Sequence, residues 1–341
     1  MSFRVRPARA GDFDAIHDMA TLTGGGFTNL PADKGTLDAK LSRSADAFSR
    51  QEGDPQGDLF VFVLENAQTG EIRGTCQVFS RVGMQQPFYS YRIGTLSQTS
   101  RELDRTFKAE TLALCTDFEG SSEVGGLFLH PDARSGGLGL GVLLARSRYL
   151  FLRANRARFA DKTVAELRGV IGEDGGSPFW DAIAGRFFGM GFPQADAFNG
   201  AHGTQFIADL MPKTPIYTAL LSAEALAVMR KPHPSGQAAM RMLEREGFVN
   251  DGYVDIFDGG PTMSVATDQI RAVREARDLV LAGTAEPTGG EPMLVAAGTL
   301  EDFAAGFGHV KEGADGRATL EPATAALLGL AEGDSFLTVG R

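Results

Sequence analysis

Val124-Gly-Gly-Leu-Phe-Leu-His-Pro-Asp-Ala-Arg-Ser-Gly-Gly-Leu-Gly139 is the stretch of this chain that decides its fold, together with the helix pattern that follows it. The apolar run over Val124–Leu129 predicts a strand, and Pro131 with the glycines after it predicts a turn. From position 140 the apolar spacing is that of one face of an α-helix, with Leu140, Leu143, Leu144, Leu150, Phe151 and Ala154 on that face. The sequence therefore predicts a strand, a glycine turn and a helix in immediate succession.

The glycine turn is suited to binding an anion. Gly136, Gly137 and Gly139 leave their backbone N–H groups unobstructed by side chains. The first turn of a helix has N–H groups without internal partners, and the helix macrodipole adds partial positive charge there. Arg134 can add a guanidinium at the edge of the same turn. A pyrophosphate cradle is the functional interpretation, and an ordinary strand-to-helix turn is the structural alternative.

The spacing within this turn narrows the class of ligand. Arg134-x-x-Gly137-x-Gly139 after an apolar strand resembles the coenzyme A signature of the GCN5-related N-acetyltransferase superfamily. A dinucleotide fingerprint would need glycines at G-x-G-x-x-G spacing, and a nucleotide P-loop would need Gly-Lys-Ser/Thr. We therefore expect an acyl-coenzyme A ligand.

Several further segments, in order along the chain, resemble the arginine N-succinyltransferase family. The resemblance extends to about Ala276, is looser beyond it, and rests on Thr23–Pro31, Tyr91–Leu96, Gly120–Glu123, Ala165–Ile171, Ser177–Trp180, Met211–Lys213, Pro215–Tyr217 and Asp255–Pro261. It implies an α/β fold of the GCN5-related type, with a mixed, mostly antiparallel sheet flanked by helices. It also implies transfer of succinyl from succinyl-CoA to the α-amino group of L-arginine, the first step of arginine catabolism by that route.

The resemblance also implies two functional positions. The family's contact with succinyl-CoA falls on Leu127, where a main-chain N–H could stabilise the negative charge that develops on the thioester oxygen. Its proton donor falls on His233, and histidine exchanges protons near neutral pH. His130, at the exit of the strand, is the alternative histidine.

Recognition of both substrates needs charged partners. A guanidinium pairs with carboxylates, and the candidates in the matching segments are Glu123, Glu166, Asp255 and Asp258. The succinyl carboxylate needs a cation, for which Arg92 and Arg168 are candidates. Nothing in the sequence chooses among these residues. Two further interpretations stay open: transfer to another amine such as ornithine, and a non-catalytic acyl-CoA sensor.

Composition and charge restrict the partners and the cellular compartment that we expect for this protein. A formal net charge of -10 over 341 residues argues against a nucleic-acid partner. Two cysteines indicate a reducing compartment, and the sequence has neither a signal peptide nor a membrane-spanning run, so we expect a cytoplasmic protein. We expect no metal and no permanently bound cofactor, with succinyl-CoA as co-substrate. The resemblance suggests an oligomer, with itself or with a paralogous subunit.

The positions of glycine- and proline-rich stretches divide the chain into three predicted segments. Residues 1–265 would form the acyltransferase domain, in which 172–235 is either an insertion or a degenerate second repeat. Residues 266–290 would be a helical connector and linker, including a helix over about Asp268 to Leu281. Residues 291–341 would be a small, mostly β domain that lacks a polar cluster and lies outside the chemical centre. The glycines of Thr23–Pro31 form either a flexible loop or a close approach to ligand.

Overall fold

Sixteen strands form the framework of the protein over the residues that the computed structural model describes, namely 2–23, 29–51, 57–134, 137–287, 292–313 and 315–341. In chain order, the strands are β1 Phe3–Pro7, β2 Leu59–Asn66, β3 Ile72–Phe79, β4 Ser90–Ser100, β5 Arg105–Cys115, β6 Ser122–Leu129, β7 Lys162–Glu166, β8 Ile216–Tyr217, β9 Tyr253–Asp255, β10 Thr262–Ala266, β11 Arg277–Thr284, β12 Met293–Ala297, β13 Ala304–Gly308, β14 Val310–Glu312, β15 Arg317–Leu320 and β16 Ser335–Val339.

The described residues also form eleven α-helices. They are α1 Phe13–Thr21, α2 Lys34–Ser49, α3 Leu140–Ala154, α4 Pro178–Ala182, α5 Ala184–Phe188, α6 Phe192–His202, α7 Gln205–Leu210, α8 Ala223–Val228, α9 Gln237–Arg245, α10 Arg271–Glu275 and α11 Pro322–Leu328. No helix among the described residues is both long enough and apolar enough to cross a membrane.

The strands form two sheets. The larger has the order β10-β7-β6-β3-β2-β1-β13-β12-β16-β11-β15-β14, and the smaller has the order β8-β5-β4-β9. Antiparallel pairs predominate, since among the described strands only β6 with β7 and β11 with β15 run parallel. The expectation of an α/β protein with a mixed, mostly antiparallel sheet is confirmed.

The main core lies between the larger sheet and α3. In β2, Phe60 and Phe62 face this core, whereas Val61 and Val63 pack beneath α1 and α2. Both faces of β2 are therefore covered, which explains why its sequence is a continuous apolar run and not an alternating one. Phe151 of α3 lies edge-on to Phe60 and Phe62, with ring centroids 5.0 and 4.9 Å away.

The smaller sheet has its own core, built with helices α4–α8. Trp180 is fully buried there, stacks on Phe257 with ring centroids 5.4 Å apart, and donates its indole N–H to the carbonyl of Met190. Residues 172–235, expected as an insertion or a repeat, thus supply the helical layer on this sheet. β5 was not expected from the sequence, and its first four residues are exposed.

The helix expected over 268–281 is wrong in its second half. α10 ends at Glu275, and Arg277–Thr284 is β11, paired with β15 and β16. The arginine spacing suggested a helix, but Leu279 and Leu281 alternate toward a buried cluster as strand residues do. The tail is rich in strands, yet β13 pairs with β1, so the larger sheet runs across the expected boundaries at 265 and 291.

Candidate active site

A β-bulge distorts β6 at the position that the sequence analysis singled out. Thr75 of β3 pairs with Phe128 and Gln77 pairs with Gly125, so two residues of β6 oppose one residue of β3. Gly126, one of the two, has a φ of 57°, which glycine adopts at little cost. The other is Leu127, whose side chain packs at the edge of the main core. The bulge turns the main chain of β6 locally, at the residue expected to contact the thioester.

Next to the bulge, β6 and β7 separate. Their described pairs are Ser122 with Thr163 and Glu123 with Val164 only. Beyond these two pairs, no residue of β6 is paired with β7 in the described structure, and the carbonyl of Gly125 accepts instead from Arg148 Nη1 at 3.3 Å. The gap is therefore lined by the bulged part of β6 and by the exit of β7.

The glycine turn follows β6 directly, at the same end of the gap. Gly137 and Gly139 both have positive φ, 65° and 69°, and Gly139 is the N-cap of α3. The first α3 hydrogen bond runs from Leu143 N to the carbonyl of Gly139, so the N–H groups before it point out of the helix end. Gly136 lies outside the described residues, as do all three glycines of Thr23–Pro31.

Arg134 lies where the turn begins. Its Nε donates to the carbonyl of Leu129 at 2.9 Å, and its guanidinium stacks over Phe128 at 5.6 Å from the ring centroid. His130, the alternative histidine, accepts a hydrogen bond from Asp132 N at 3.3 Å and also lies 3.5 Å from that residue's carboxylate. These contacts make His130 part of a local turn and leave Arg134 exposed beside the helix end.

The opposite wall of the gap is the exit of β7 with the 255–261 loop packed on it. A side chain at Gly169 would overlap Asp258, and one at Gly260 would overlap the carbonyl of Leu167. Asp258 accepts hydrogen bonds from Gly169 N at 2.7 Å and from Gly260 N at 2.8 Å. The glycines permit this close approach, and Asp258 fixes the loop with both of its carboxylate oxygens.

Three carboxylates meet in this wall without a neutralising cation in their described hydrogen bonds. Burial, followed by the charges of Asp255, Glu123 and Asp258, raises the pKa of Glu166 well above its usual value. Burial likewise raises the pKa of Asp255 and that of Asp258. These carboxyl groups therefore ionise at higher pH than isolated carboxyl groups do.

The hydrogen bonds distinguish these carboxylates. Asp258 uses both oxygens, as described, and one oxygen of Asp255 accepts from the main-chain N–H groups of Phe257 and Asp258. Glu166 receives only a long contact of 3.4 Å from Thr262 Oγ1 among the described residues. Glu166 is thus the least satisfied carboxylate, half-buried at the end of β7.

His233 reaches the same wall through its main chain. Its N–H donates to the carbonyl of Arg168 at 2.7 Å, and Pro232 forms a bridge with Gly169. On the ring, Nδ1 lies 2.7 Å from Ser235 Oγ and 3.3 Å from Ser235 N, which leaves Nε2 for another partner. Burial and the positive charge of Arg168 lower the pKa of His233 below 6.5, so the ring is neutral at neutral pH.

Arg168 brings a cation to the gap. Its Nη1 lies 3.5 Å from the carbonyl of Thr23, and its buried Nε has no hydrogen-bond partner in the described structure. Arg92 is placed elsewhere, on β4 of the smaller sheet, where it pairs with Asp117 at 3.2 Å. Of the two cations expected for the succinyl carboxylate, the structure brings only Arg168 to the gap.

A polar network that the sequence did not reveal supports the bulge from the α2 side. Asn29 Nδ2 donates to Glu123 at 3.2 Å, Gln77 Nε2 donates to Asn29 Oδ1 at 2.7 Å, and Lys40 bonds the carbonyl of Asn29. Burial lowers the pKa of Lys40 to about 7, in opposition to the attraction of Glu123. Glu123 thus has partners of its own, which makes it a support for β6 more than a free carboxylate. The four residues come from separate segments, so no sequence motif unites them.

Comparison with known proteins agrees with this architecture. The family model for "Arginine N-succinyltransferase beta subunit" matches residues 3–272, and that for its C-terminal domain matches residues 277–340. The chain is 44% identical to an arginine N-succinyltransferase of Enterobacter sp. over 308 residues, covering 89% of this chain and 88% of that one. It is 45% identical to that of Salmonella paratyphi B over 288 residues, covering 84% and 82%.

A solved structure gives the same result at the level of the fold. The chain resembles the arginine/ornithine succinyltransferase subunit AI from Pseudomonas aeruginosa with a TM-score of 0.90 and 32% identity, over 99% of this chain and 98% of that one. Similarity therefore extends through the tail as well as through the region that contains the gap. With this architecture and these matches, the chain belongs to the arginine N-succinyltransferase beta subunit family.

Proposed function

We propose that this protein transfers the succinyl group of succinyl-CoA to the α-amino group of L-arginine, giving N2-succinyl-L-arginine and coenzyme A. The observation that carries the proposal is the gap between β6 and β7, where an unpaired strand edge faces an unneutralised carboxylate, Glu166. One wall suits a thioester and the other suits a basic amine. The name of the family to which the chain belongs indicates succinyl as the acyl group and arginine as the acceptor. This reaction would be the first step of arginine catabolism through succinylated arginine.

The acyl donor would lie along β6, as in the GCN5-related N-acyltransferase fold that the sequence motif resembles. Its pyrophosphate would accept hydrogen bonds at the glycine turn, from the N–H groups of Gly136, Gly137 and Gly139, with Arg134 beside them. The thioester carbonyl would then lie next to Leu127. A main-chain N–H exposed by the bulge can stabilise the oxyanion of the tetrahedral intermediate, and it does so whatever the side chain is.

The acceptor would bind at the β7 wall. Glu166 has a free oxygen and a pKa that burial and nearby carboxylates have raised, so a bound cation would stabilise its ionised form. We assign Glu166 to arginine recognition, with Glu123 and Asp255 behind it. Arg168, with a buried and unpartnered Nε, would bind the succinyl carboxylate. Arg92 is not assigned to the succinyl carboxylate, because it lies on the smaller sheet and pairs there with Asp117.

His233 would move the proton. The arginine ammonium must lose one proton before its nitrogen attacks the thioester carbon, and the nitrogen loses a second, to solvent, as the amide forms. The leaving thiolate must gain one proton when the C–S bond breaks. A neutral imidazole with a lowered pKa can accept the first proton on its unprotonated ring nitrogen, and Nε2 becomes that nitrogen when the ring hydrogen lies on Nδ1, 2.7 Å from Ser235 Oγ. The resulting imidazolium can then protonate the thiolate. One residue thus serves as base and then as acid.

The same geometry accommodates an alternative acceptor. Ornithine carries the same α-amino group with a shorter cationic side chain, and the Pseudomonas aeruginosa relative is described as an arginine/ornithine succinyltransferase subunit. That description as a subunit also supports our proposal that the chain assembles with itself or with a paralogous chain. A third possibility, an acyl-CoA sensor without catalysis, would keep the glycine turn but not the proton relay.

Thiol release distinguishes these possibilities. The purified protein is given succinyl-CoA or acetyl-CoA with arginine, ornithine or lysine, and free thiol is followed with a chromogenic reagent. The proposal predicts the highest kcat/KM for succinyl-CoA with arginine, and a product heavier than arginine by one succinyl group. A preference for ornithine would select the alternative acceptor. Binding of succinyl-CoA without turnover would select the sensor.

A further inference from the structure

Two guanidinium groups lie at the ends of the glycine turn, and within the described ranges neither forms an ion pair with a carboxylate. Arg134 is held at the start of the turn by Leu129 and Phe128. Arg341, two hundred residues away in sequence, lies at the other end against Gly139. Many other arginines of the chain pair with Asp or Glu, including Arg146 and Arg153 of α3. The turn therefore has two cations available for an anion.

Arg341 is brought to the turn by the sheet. It follows β16, which pairs with β11 and β12 inside the larger sheet. The carbonyl of Gly340 accepts a hydrogen bond from Arg146 Nη1 at 2.5 Å, and Arg146 Nε is itself 2.7 Å from Glu246. Both Arg146 and Glu246 are buried, so this contact anchors the main chain directly before Arg341.

The side chain of Arg341 is oriented by an aromatic ring. Its guanidinium lies over Phe307 of β13, 4.7 Å from the ring centroid, which is a cation–π geometry. The guanidinium also lies against Gly139, where a Cβ would overlap it. Glycine at 139 is therefore required twice: for its φ of 69° and for the space that the guanidinium occupies. The exposed N–H groups of Arg341 remain at the N-terminal end of α3.

We propose that Arg341 binds the pyrophosphate of acyl-CoA together with Gly137, Gly139 and Arg134. The inference rests on the proposed function and adds a binding residue from the tail. A pyrophosphate has two negatively charged groups, and two guanidinium groups are available for them: Arg341 at the end of α3 and Arg134 at the start of the turn. The tail, expected to lie outside the site, would then complete the binding of the acyl donor.

Arg341→Gln tests this assignment, because glutamine keeps polarity and much of the length but removes the charge. Kd for coenzyme A is measured by calorimetry, which needs no turnover, and KM for succinyl-CoA is measured by thiol release. We expect Kd and KM for succinyl-CoA both to rise roughly tenfold, because a hydrogen bond to a charged group at an exposed site contributes at the lower end of its usual range. We expect kcat and KM for arginine to stay within twofold of wild type. Arg341→Lys should raise Kd and KM for succinyl-CoA less, because lysine keeps the positive charge. Arg153→Gln, on the far end of α3, is the matched control and should leave Kd unchanged.

Ligand fragments separate phosphate binding from a structural role. Dephospho-coenzyme A keeps the pyrophosphate and lacks the 3′-phosphate, so the effect of Arg341→Gln should persist with it. Succinyl-pantetheine lacks both, so wild type and variant should use it equally. An effect that persists with succinyl-pantetheine, one that vanishes with dephospho-coenzyme A, or an unchanged Kd in the folded variant would overturn the assignment. If wild type binds no coenzyme A at all, the proposed function itself fails, which is a distinct outcome.

Discussion

Replacement of Glu166 by Gln should have opposite effects on catalysis and on stability. Glu166 is the least satisfied carboxylate in the β7 wall, and its side chain is half-buried beside Asp255 and Asp258. If it binds the guanidinium of arginine, glutamine would remove a charge-assisted hydrogen bond. Hydrogen bonds to charged groups contribute about 1.5–3 kcal/mol, which corresponds to roughly a 10- to 150-fold loss of kcat/KM for arginine. KM for succinyl-CoA should change little.

The same substitution should stabilise the unliganded fold. Because the pKa of Glu166 is raised in the folded state, the folded protein holds a proton that the unfolded chain has already released above the usual value of 4.5. Its contribution to stability is therefore lost as pH rises from 4.5 through the raised pKa. Glutamine does not ionise, so the variant should have the higher melting temperature at pH 8. That advantage should shrink as pH approaches 4.5.

Steady-state kinetics and thermal denaturation across pH 5–8 test both effects on one preparation. Glu312→Gln is the matched control, since Glu312 forms a surface ion pair with Arg277 in the distant part of the sheet. The reasoning is refuted if Glu166→Gln melts below wild type at pH 8, or if its kcat/KM for arginine equals that of wild type.

Three other changes test separate parts of the site. His233→Ala should lower kcat about 10²–10⁴-fold and abolish the acid limb of the pH–rate profile; in wild type that limb should have a midpoint below 6.5, because the neutral ring is the active form. Full activity in the folded variant would remove His233 from the mechanism, and His130→Ala serves as the comparison. Gly137→Val should weaken coenzyme A binding in calorimetry with only a modest loss of stability, because the φ of 65° is strained for valine although nothing lies within 4 Å; unchanged affinity would exclude this position. A chain truncated after Ala276 should fail to fold cooperatively by circular dichroism, since it loses β13 beside β1 and several residues of the main core, including Leu294, Phe303 and Phe307. An intact melting transition would contradict this.

The last of these predictions revises an expectation from sequence. The tail has no polar cluster, and the glycine- and proline-rich stretch before it looks like a linker, so the sequence suggested a part that turnover could spare. That inference considered only local composition. Pairing of β13 with β1 depends on residues about three hundred positions apart, and no local pattern records it.

Other features of the fold and of the site could be predicted where they depend on local sequence, and were missed where they depend on contacts between distant residues. The strand, turn and helix of 124–154 follow from apolar periodicity and glycine positions, and the structure contains them as expected. The four acidic candidates could be named but not ranked, because ranking depends on which main-chain N–H groups reach each oxygen. Asp258 is saturated by Gly169 and Gly260, whereas Glu166 is not. Arg341 was missed because its neighbour Gly139 is distant in sequence.

Product identification tests the central claim most directly. Wild-type protein is incubated with succinyl-CoA and arginine labelled with ¹⁵N at the α-amino group, and the product is examined by mass spectrometry and NMR. The account predicts a succinyl amide on the labelled nitrogen, with one free thiol released for each amide formed. Succinylation of a guanidinium nitrogen, or thiol release without amide formation, would contradict it.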